Sequence, residues 1–375
     1  MNSKYSILFY ACNQPSNLGD VLLNRAIVKY LSSKSDVFVD PGKFKGEDKD
    51  TFILKGESLE SKVTQYDIKS LRALFDIFYF KKFDYFIMSA GMSASNSKIR
   101  YFLNRTKLIC ILLLLKCRGI KMIIPNTSFD VNEVNLLVLF LERIISKLVY
   151  VYGVRDNSVS KYLTKSGINC RYIPDVFFLN TEKRNIQNIP KKKRIILNFR
   201  ESIPEIIETR EKENYREQLI KSIESIVHKF SDSPEIICVY QCLKDKSFTI
   251  RLFDKLKGSF NATLHDKRLN YHEAKALYQD SICVLSNRLH CIFLGFSVGT
   301  LSMPLSSSKS HRKLYGSMSS LNVENFFLDI ESKSSLNSKL IEQCINDEVS
   351  HELHEISLKA KEMTESIFND LLYSK

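Results

Sequence analysis

Ser281-Ile282-Cys283-Val284-Leu285, then Ser286-Asn287-Arg288-Leu289-His290-Cys291, then Ile292-Phe293-Leu294-Gly295-Phe296, reads as a buried strand, a short turn and the apolar start of a helix. A strand that turns straight into a helix is the repeating unit of a parallel sheet with crossover helices, and such sheets bind ligands at the carboxyl edge of their strands. The turn brings a guanidinium and an imidazole to that edge, beside a helix N-terminus whose unpaired N–H groups favour anions. Arginine presents a planar fork to phosphate or carboxylate, and histidine moves a proton near neutral pH. A plainer reading fits the same residues: a helix-start Arg in a structural ion pair beside a half-buried His.

Outward from this unit the alternation of strand-like and helix-like segments runs along the whole chain. Residues 6–11 read as a buried first strand, 13–20 as a polar loop and 21–31 as a helix. The polar stretch 41–67 reads as a loop excursion, 83–88 as a strand ending at Ser89-Ala90-Gly91, and 108–117 as a buried helix. A strand at 121–124, an amphipathic helix at 134–147 and a strand at 148–154 lead into Arg155-Asp156. Residues 180–193, with Pro190 and three consecutive lysines, have the composition of a solvated linker. The alternation then restarts with strands at 194–199 and 235–240 and helices at 215–230, 248–257 and 271–278. The expected fold is α/β, two Rossmann-like lobes facing across a cleft in a GT-B-like architecture. Residues 1–180 form the N-terminal, acceptor-side lobe, 194–330 the C-terminal, donor-side lobe, and 331–375 a helical segment packing back on the body.

A chain of 375 residues is too long for one ordinary core, and 44% hydrophobic with 26% charged residues is a globular composition. The 55 Lys and Arg against 42 Asp and Glu, net +13, suit an anionic partner. The basic residues are scattered and carry no RNA- or DNA-binding signature, so nucleic acid is not the expected partner. Nine cysteines in an odd set, mostly inside apolar runs and without a CxxC pair or zinc spacing, read as buried reduced thiols, with no metal and a cytoplasmic location. No signal-peptide pattern opens the chain. The run 108–115 is short and flanked by Lys107 and Lys116, and 135–154 is broken by Glu142, Arg143 and Lys147, so no transmembrane helix is expected. A peripheral place on the inner face of the membrane fits the basic surface.

Three further loops follow strands. In Asn17-Leu18-Gly19-Asp20, Gly19 permits close approach, while Asp20 either caps the next helix or works as a hydroxyl-binding or base residue. Ser89-Ala90-Gly91 reads as a tight turn or as backbone N–H groups meeting a ligand. In Gly153-Val154-Arg155-Asp156-Asn157-Ser158, Asp156 and Ser158 suit a helix cap and Arg155 an ion pair with Asp156 or Asp175.

Taken in order, these segments resemble the polysaccharide pyruvyl transferase family. The resemblance runs through Asn17-Leu18-Gly19-Asp20, residues 83–91, Gly153-Val154-Arg155-Asp156 with Ser158 or Ser160, Gly167-Ile168, Ile173-Pro174-Asp175, Asn287-Arg288-Leu289-His290, Lys309 and Leu321-Asn322-Val323. It departs at Ser89-Ala90-Gly91, where a glycine pair is usual, at Pro125-Asn126-Thr127-Ser128 in place of a Gly-rich loop, at Gly299-Thr300 in place of a proline, and at Ser306-Ser307-Ser308, which lacks a tyrosine before the lysine.

The resemblance implies transfer of pyruvate from phosphoenolpyruvate onto two hydroxyls of one sugar, with release of phosphate and no cofactor beyond the donor. The sugar belongs to a cell-surface polysaccharide or its lipid-linked precursor. On that reading His290 and Asp20 are catalytic, His290 as proton donor and Asp20 on the acceptor side. Arg288, Arg200, Lys309, Arg155, Leu289, Asn17 and Gly91 bind substrate. Two alternatives stay open: a GT-B glycosyltransferase using a nucleotide-activated sugar, and a catalytically silent scaffold of polysaccharide assembly.

Overall fold

The strands form because runs such as Ile7-Leu8-Phe9 and Ile195-Ile196-Leu197 are apolar on both faces, the pattern of parallel strands covered on both sides by helices. The structure is a computed structural model that describes residues 5–11, 17–70, 76–77, 82–89, 91–92, 98–129, 134–184, 191–201, 203, 206, 208–230, 233–332 and 347–373. The chain groups into two units. Unit 1 comprises Met1–Pro15, Asp20–Asn180 and Lys361–Lys375, and unit 2 comprises Ser16–Gly19 and Thr181–Ala360.

Unit 1 is built on β1 (Ser6–Tyr10), β2 (Asp36–Asp40), β3 (Val63–Gln65), β4 (Tyr85–Met88), β5 (Gly91–Met92), β6 (Lys121–Ser128), β7 (Val151–Val154) and β8 (Arg171–Tyr172). They lie in the order β3-β2-β1-β4-β6-β7-β8, with β5 beside β6, and every pairing is parallel. Its helices include α1 (Leu18–Ser32, whose first two residues belong to unit 2), α2 (Gly46–Phe52), α3 (Lys98–Cys117), α4 (Leu136–Leu148) and α5 (Asn157–Lys165). Leu8, Phe86, Leu112, Met122, Ile145 and Leu163 meet in one core.

Unit 2 contains β9 (Lys192–Asn198), α6 (Thr209–Val227), β10 (Glu235–Cys238), α7 (Lys246–Leu256), β11 (Ala262–Leu264), α8 (Tyr271–Gln279), β12 (Ser281–Ser286), α9 (Leu289–Val298), β13 (Leu301–Ser306), α10 (Arg312–Ser319) and β14 (Leu328–Asp329). Its parallel sheet runs β11-β10-β9-β12-β13-β14, so in order of appearance the strands stand 3-2-1-4-5-6. The last helix, α11 (Asp347–Leu372), begins in unit 2 and ends in unit 1. There Phe368 stacks edge-on against Tyr30 at 5.5 Å and the Tyr30 hydroxyl donates to Asn369 Oδ1 at 2.8 Å.

Both units are thus the α/β layers expected from the sequence, with four local differences. Residues 41–67 contain α2 and β3, and the short strand β2 precedes them, because Asp36-Val37-Phe38-Val39-Asp40 hides three apolar residues between two charges. The first helix begins at Leu18, inside the expected loop, with Asn17 Oδ1 accepting from Gly19 N at 3.2 Å, so Asp20 is a first-turn residue and not the cap. The helix expected to be buried at 108–117 is the second half of α3, and Leu113 and Leu114 on it are exposed. Cys110 and Cys117 are exposed with them, against the expectation for the thiols. Among the described residues no helix is long and apolar enough to cross a membrane.

Candidate functional site

In a sheet of order 3-2-1-4-5-6 the strand order reverses between the first and fourth strands, and the crevice beyond their carboxyl ends receives ligands. In unit 2 those strands are β9 and β12, with Asn198 paired to Ser286 at their ends. Asn287, wholly buried, staples the two loops that leave them: its Oδ1 accepts from Arg200 N at 2.8 Å, and its Nδ2 donates to Arg200 O at 2.9 Å. Ser286 Oγ accepts from Arg288 N at 2.9 Å and donates to Asn198 O. Arg288 then takes the cap position of α9 with extended backbone and no side-chain cap, leaving the helix start as an anion-favouring edge.

The Arg288 guanidinium pairs through Nη2 with Asp245 Oδ2, contributed by the turn that follows β10. Burial pushes the Asp245 carboxyl above its usual range, against the pull of Arg288 and, next, of Arg200. The Arg288 side chain keeps 17% of its surface exposed, and its planar fork suits a phosphate or carboxylate. Arg200 and Arg288 also act together on His311, buried at the cap of α10. A relay joins that histidine to the staple. Asn287 Nδ2 donates to Tyr215 Oη at 3.0 Å, Tyr215 Oη meets Ser306 Oγ at 3.0 Å, and Ser306 Oγ meets His311 Nδ1 at 3.0 Å. Loops after β9, β10, β12 and β13 therefore bring two guanidinium groups, one carboxylate and a neutral buried imidazole to one edge.

Burial holds the His311 pKa well below the ordinary value, helped by the charges of Arg200, Lys313 and Arg288. A histidine depressed in the folded state stabilises above its unfolded pKa of about 6.5, and that stability is lost as pH falls below it. Unfolding in urea at pH 7.5 and 5.5 is therefore expected to show a drop in stability that is about 1.4 kcal/mol larger in the parent than in His311→Gln. His354, also depressed by burial, is present in both proteins and leaves that difference intact. An equal drop in both would show that His311 titrates normally.

His290, the second residue of α9, is half-buried and stacks edge-on with Phe293 at 6.4 Å. Its imidazole lies against the backbone of Gly19, where an added Cβ would come within 2.5 Å of Nδ1. Leu18 N donates to Gln241 O at 3.1 Å and Asn17 bridges Cys242, which holds this segment in place. Gly19 is thus required for proximity, since its φ is not positive. An ordinary helical Gly→Ala gains up to about 1 kcal/mol. Gly19→Ala is instead expected to cost about 1–3 kcal/mol through overpacking, and to reduce turnover by displacing the imidazole. Thermal unfolding and a turnover assay test this, and a variant as stable and active as the parent would refute it.

The site brings together Arg200, Arg288, His290, Leu289 and Asn17. Lys309 follows β13 but its side chain is 84% exposed, with Nζ 3.9 Å from Glu331, so the structure places it in solvent. Arg155 belongs to unit 1 and pairs with Asp175 at 3.2 Å, while Asp156 caps α5, which is the plainer of the two sequence readings. Gly91 lies in β5 of unit 1, paired with Thr127, in place of the expected loop. Asp20 is likewise in unit 1. Asp245, Tyr215, Ser306 and His311 escaped sequence reading. Asp245, Tyr215 and the pair Ser306 and His311 come from three separate segments, and only the sheet order unites them. Among the described residues no group of three or more His, Cys, Asp or Glu is placed to hold a metal ion.

Several solved structures share this fold. UDP-GlcNAc 2-epimerase from Neisseria meningitidis bound to UDP-GlcNAc is 11% identical with a TM-score of 0.56, over 98% of this chain and 99% of that one. Anabaena HepE in complex with UDP and glucose is 10% identical with a TM-score of 0.57, over 99% and 100% of the two chains. The Methanocaldococcus jannaschii UDP-GlcNAc 2-epimerase in complex with UDP-GlcNAc and UDP is 12% identical with a TM-score of 0.51, over 91% and 92%. At these identities the likeness is one of fold, the GT-B-like α/β class. No curated protein is similar enough in sequence to match. The sequence model of polysaccharide pyruvyl transferases matches residues 17–309, which begin at Asn17, hold Arg200, Asp245, Arg288 and His290, and end at Lys309, two residues before His311. The chain belongs to the polysaccharide pyruvyl transferase family.

Proposed function

We propose that this protein transfers the pyruvyl group of phosphoenolpyruvate to two hydroxyls of one sugar in a cell-surface polysaccharide or its lipid-linked precursor. The observation that carries the reading is the convergence of Arg200 and Arg288 on one edge, with His290 in the first turn of the helix that Arg288 opens, inside the matched span. Phosphoenolpyruvate bears a phosphate and a carboxylate, and two guanidinium groups with a helix start suit both. His290 gives a proton to the methylene carbon while the first sugar hydroxyl bonds to C2 and yields its own proton. Phosphate then leaves with the electrons of its bond to C2, the second hydroxyl bonds to the same carbon, and its proton ends on phosphate. The balance is one phosphoenolpyruvate and one diol in, one ketal and one phosphate out. Asp20, next to Gly19 in the chain, is proposed to take the hydroxyl proton, and Lys309 to join the anion when bound. Turnover takes place in the cytoplasm on this reading, with no cofactor beyond the donor.

Incubation with phosphoenolpyruvate and a panel of free and lipid-linked glycans tests the proposal, following phosphate release and a matching mass gain on the glycan. Phosphate release without a glycan product, or sugar transfer from a nucleotide-activated donor in its place, would overturn it.

A further inference from the structure

Helix α3 has two apolar faces. Tyr101, Leu108, Leu112 and Leu115 turn into the core of unit 1. On the opposite side Ile99, Leu103, Leu113 and Leu114 share one face, Leu103 four residues after Ile99 and Leu114 eleven residues, about three turns, further on, with Ile99 74% and Leu103 60% exposed. Helix α4 packs beside α3 and continues the surface with Leu136 at 85% and Phe140 at 58% exposed. The two helices enter the neighbouring parallel strands β6 and β7, so they run side by side from the carboxyl edge of the sheet. Ile99 and Leu103 near the start of α3 and Leu136 and Phe140 near the start of α4 therefore lie toward the same edge, an exposed apolar surface of the kind that soluble monomers rarely leave open.

The exposed charges carried by α3 and α4 themselves have one sign. Residues 85–129 contain seven Lys and Arg and no Asp or Glu. Arg100, Lys107 and Lys116 on α3 and Arg143 and Lys147 on α4 are all exposed. The single acid of α4, Glu142, is wholly buried and taken up by Arg105, Tyr101 and Tyr152. A second copy of the chain would set these cations against themselves across a two-fold interface. An anionic bilayer instead accepts both the apolar stripe and its cationic margins.

From this we infer that the exposed face of α3 and α4 docks the protein on the surface of an anionic membrane, lying in the headgroup region without crossing it. The inference is independent of the reaction proposed above, and its test needs no turnover.

The chain contains no tryptophan, so Leu103→Trp provides a single reporter within the patch. With vesicles of phosphatidylcholine containing one quarter phosphatidylglycerol, the emission of that variant shifts to shorter wavelength, and the parent protein co-sediments. Binding is expected to weaken about tenfold or more on pure phosphatidylcholine, and to fall as salt is raised. Leu103→Glu with Leu114→Glu is expected to cut binding to the anionic vesicles about tenfold or more. Because both leucines face solvent, the thermal midpoint stays unchanged. Unshifted emission from the Leu103→Trp variant, or parent protein that ignores anionic vesicles, overturns the inference. So does light scattering that shows a dimer split by the paired Glu substitutions while vesicles are ignored.

Discussion

Arg288→Ala is expected to destabilise the protein by about 3–5 kcal/mol, because it strips a buried carboxylate of its partner. The Asp245 side chain is only 5% exposed and its Oδ2 is paired with Arg288 Nη2. The penalty belongs to the stranded charge more than to the missing contact, so adding Asp245→Asn to the Arg288→Ala background restores most of the stability. The pH dependence has a definite sign. With its partner gone, the folded carboxyl has a pKa above its unfolded one, so protonation stabilises the fold and the deficit grows as pH rises through the neutral range. Urea unfolding of the parent, the single variant and the double variant at pH 5 and pH 8 measures both effects. A deficit that is equal at the two pH values, or that survives Asp245→Asn, would show that the loss comes from packing. Arg288→Lys keeps a charge near Asp245 but gives up the planar fork. Its stability is therefore expected to stay closer to that of the parent while donor binding weakens.

His290→Ala is expected to lower turnover with phosphoenolpyruvate roughly 10²-fold or more, the scale of a lost general acid. Donor affinity should move little, since the imidazole acts mainly in the transition state. The ring is half-buried against Gly19 at the start of α9, outside the strands that form the core of unit 2. The variant is therefore expected to fold, which far-ultraviolet circular dichroism verifies. Near-parental turnover in a folded His290→Ala protein would take the histidine out of the mechanism and direct the search to Asp20.

The strands of both sheets were legible where apolar residues run without interruption, as at Ile7-Leu8-Phe9 and Val284-Leu285, because burial on both faces leaves no other composition possible. The short strand β2 was not, since its flanking aspartates resemble loop chemistry. Helix α3 misled in the opposite direction. Its Leu-rich second half has the composition of a buried helix, yet one side of it faces solvent, a distinction that periodicity loses once every face is apolar. In the site, Arg288, His290 and Arg200 were readable because each follows a strand. Asp245 and His311 were not, because Arg288 meets the first, and the Asn287–Tyr215–Ser306 relay reaches the second, only after β10, β9, β12 and β13 stand side by side. Glu142 read as a polar break in an apolar run, whereas it is the buried carboxylate that ties α3 to α4.

Residues 16–19 of unit 2 precede nearly all of unit 1 in the chain, and residues 361–375 of unit 1 follow all of unit 2. During synthesis from the N-terminus, unit 1 must therefore wait for its closing helical segment until unit 2 has been translated. Until then Tyr30 lacks both Phe368 and Asn369, and Tyr5 lacks the Tyr373 ring that stands 6.0 Å away in the finished fold. The N-terminal half thus leaves the ribosome with an apolar seam still open, and its last stitch is made only after the whole of unit 2.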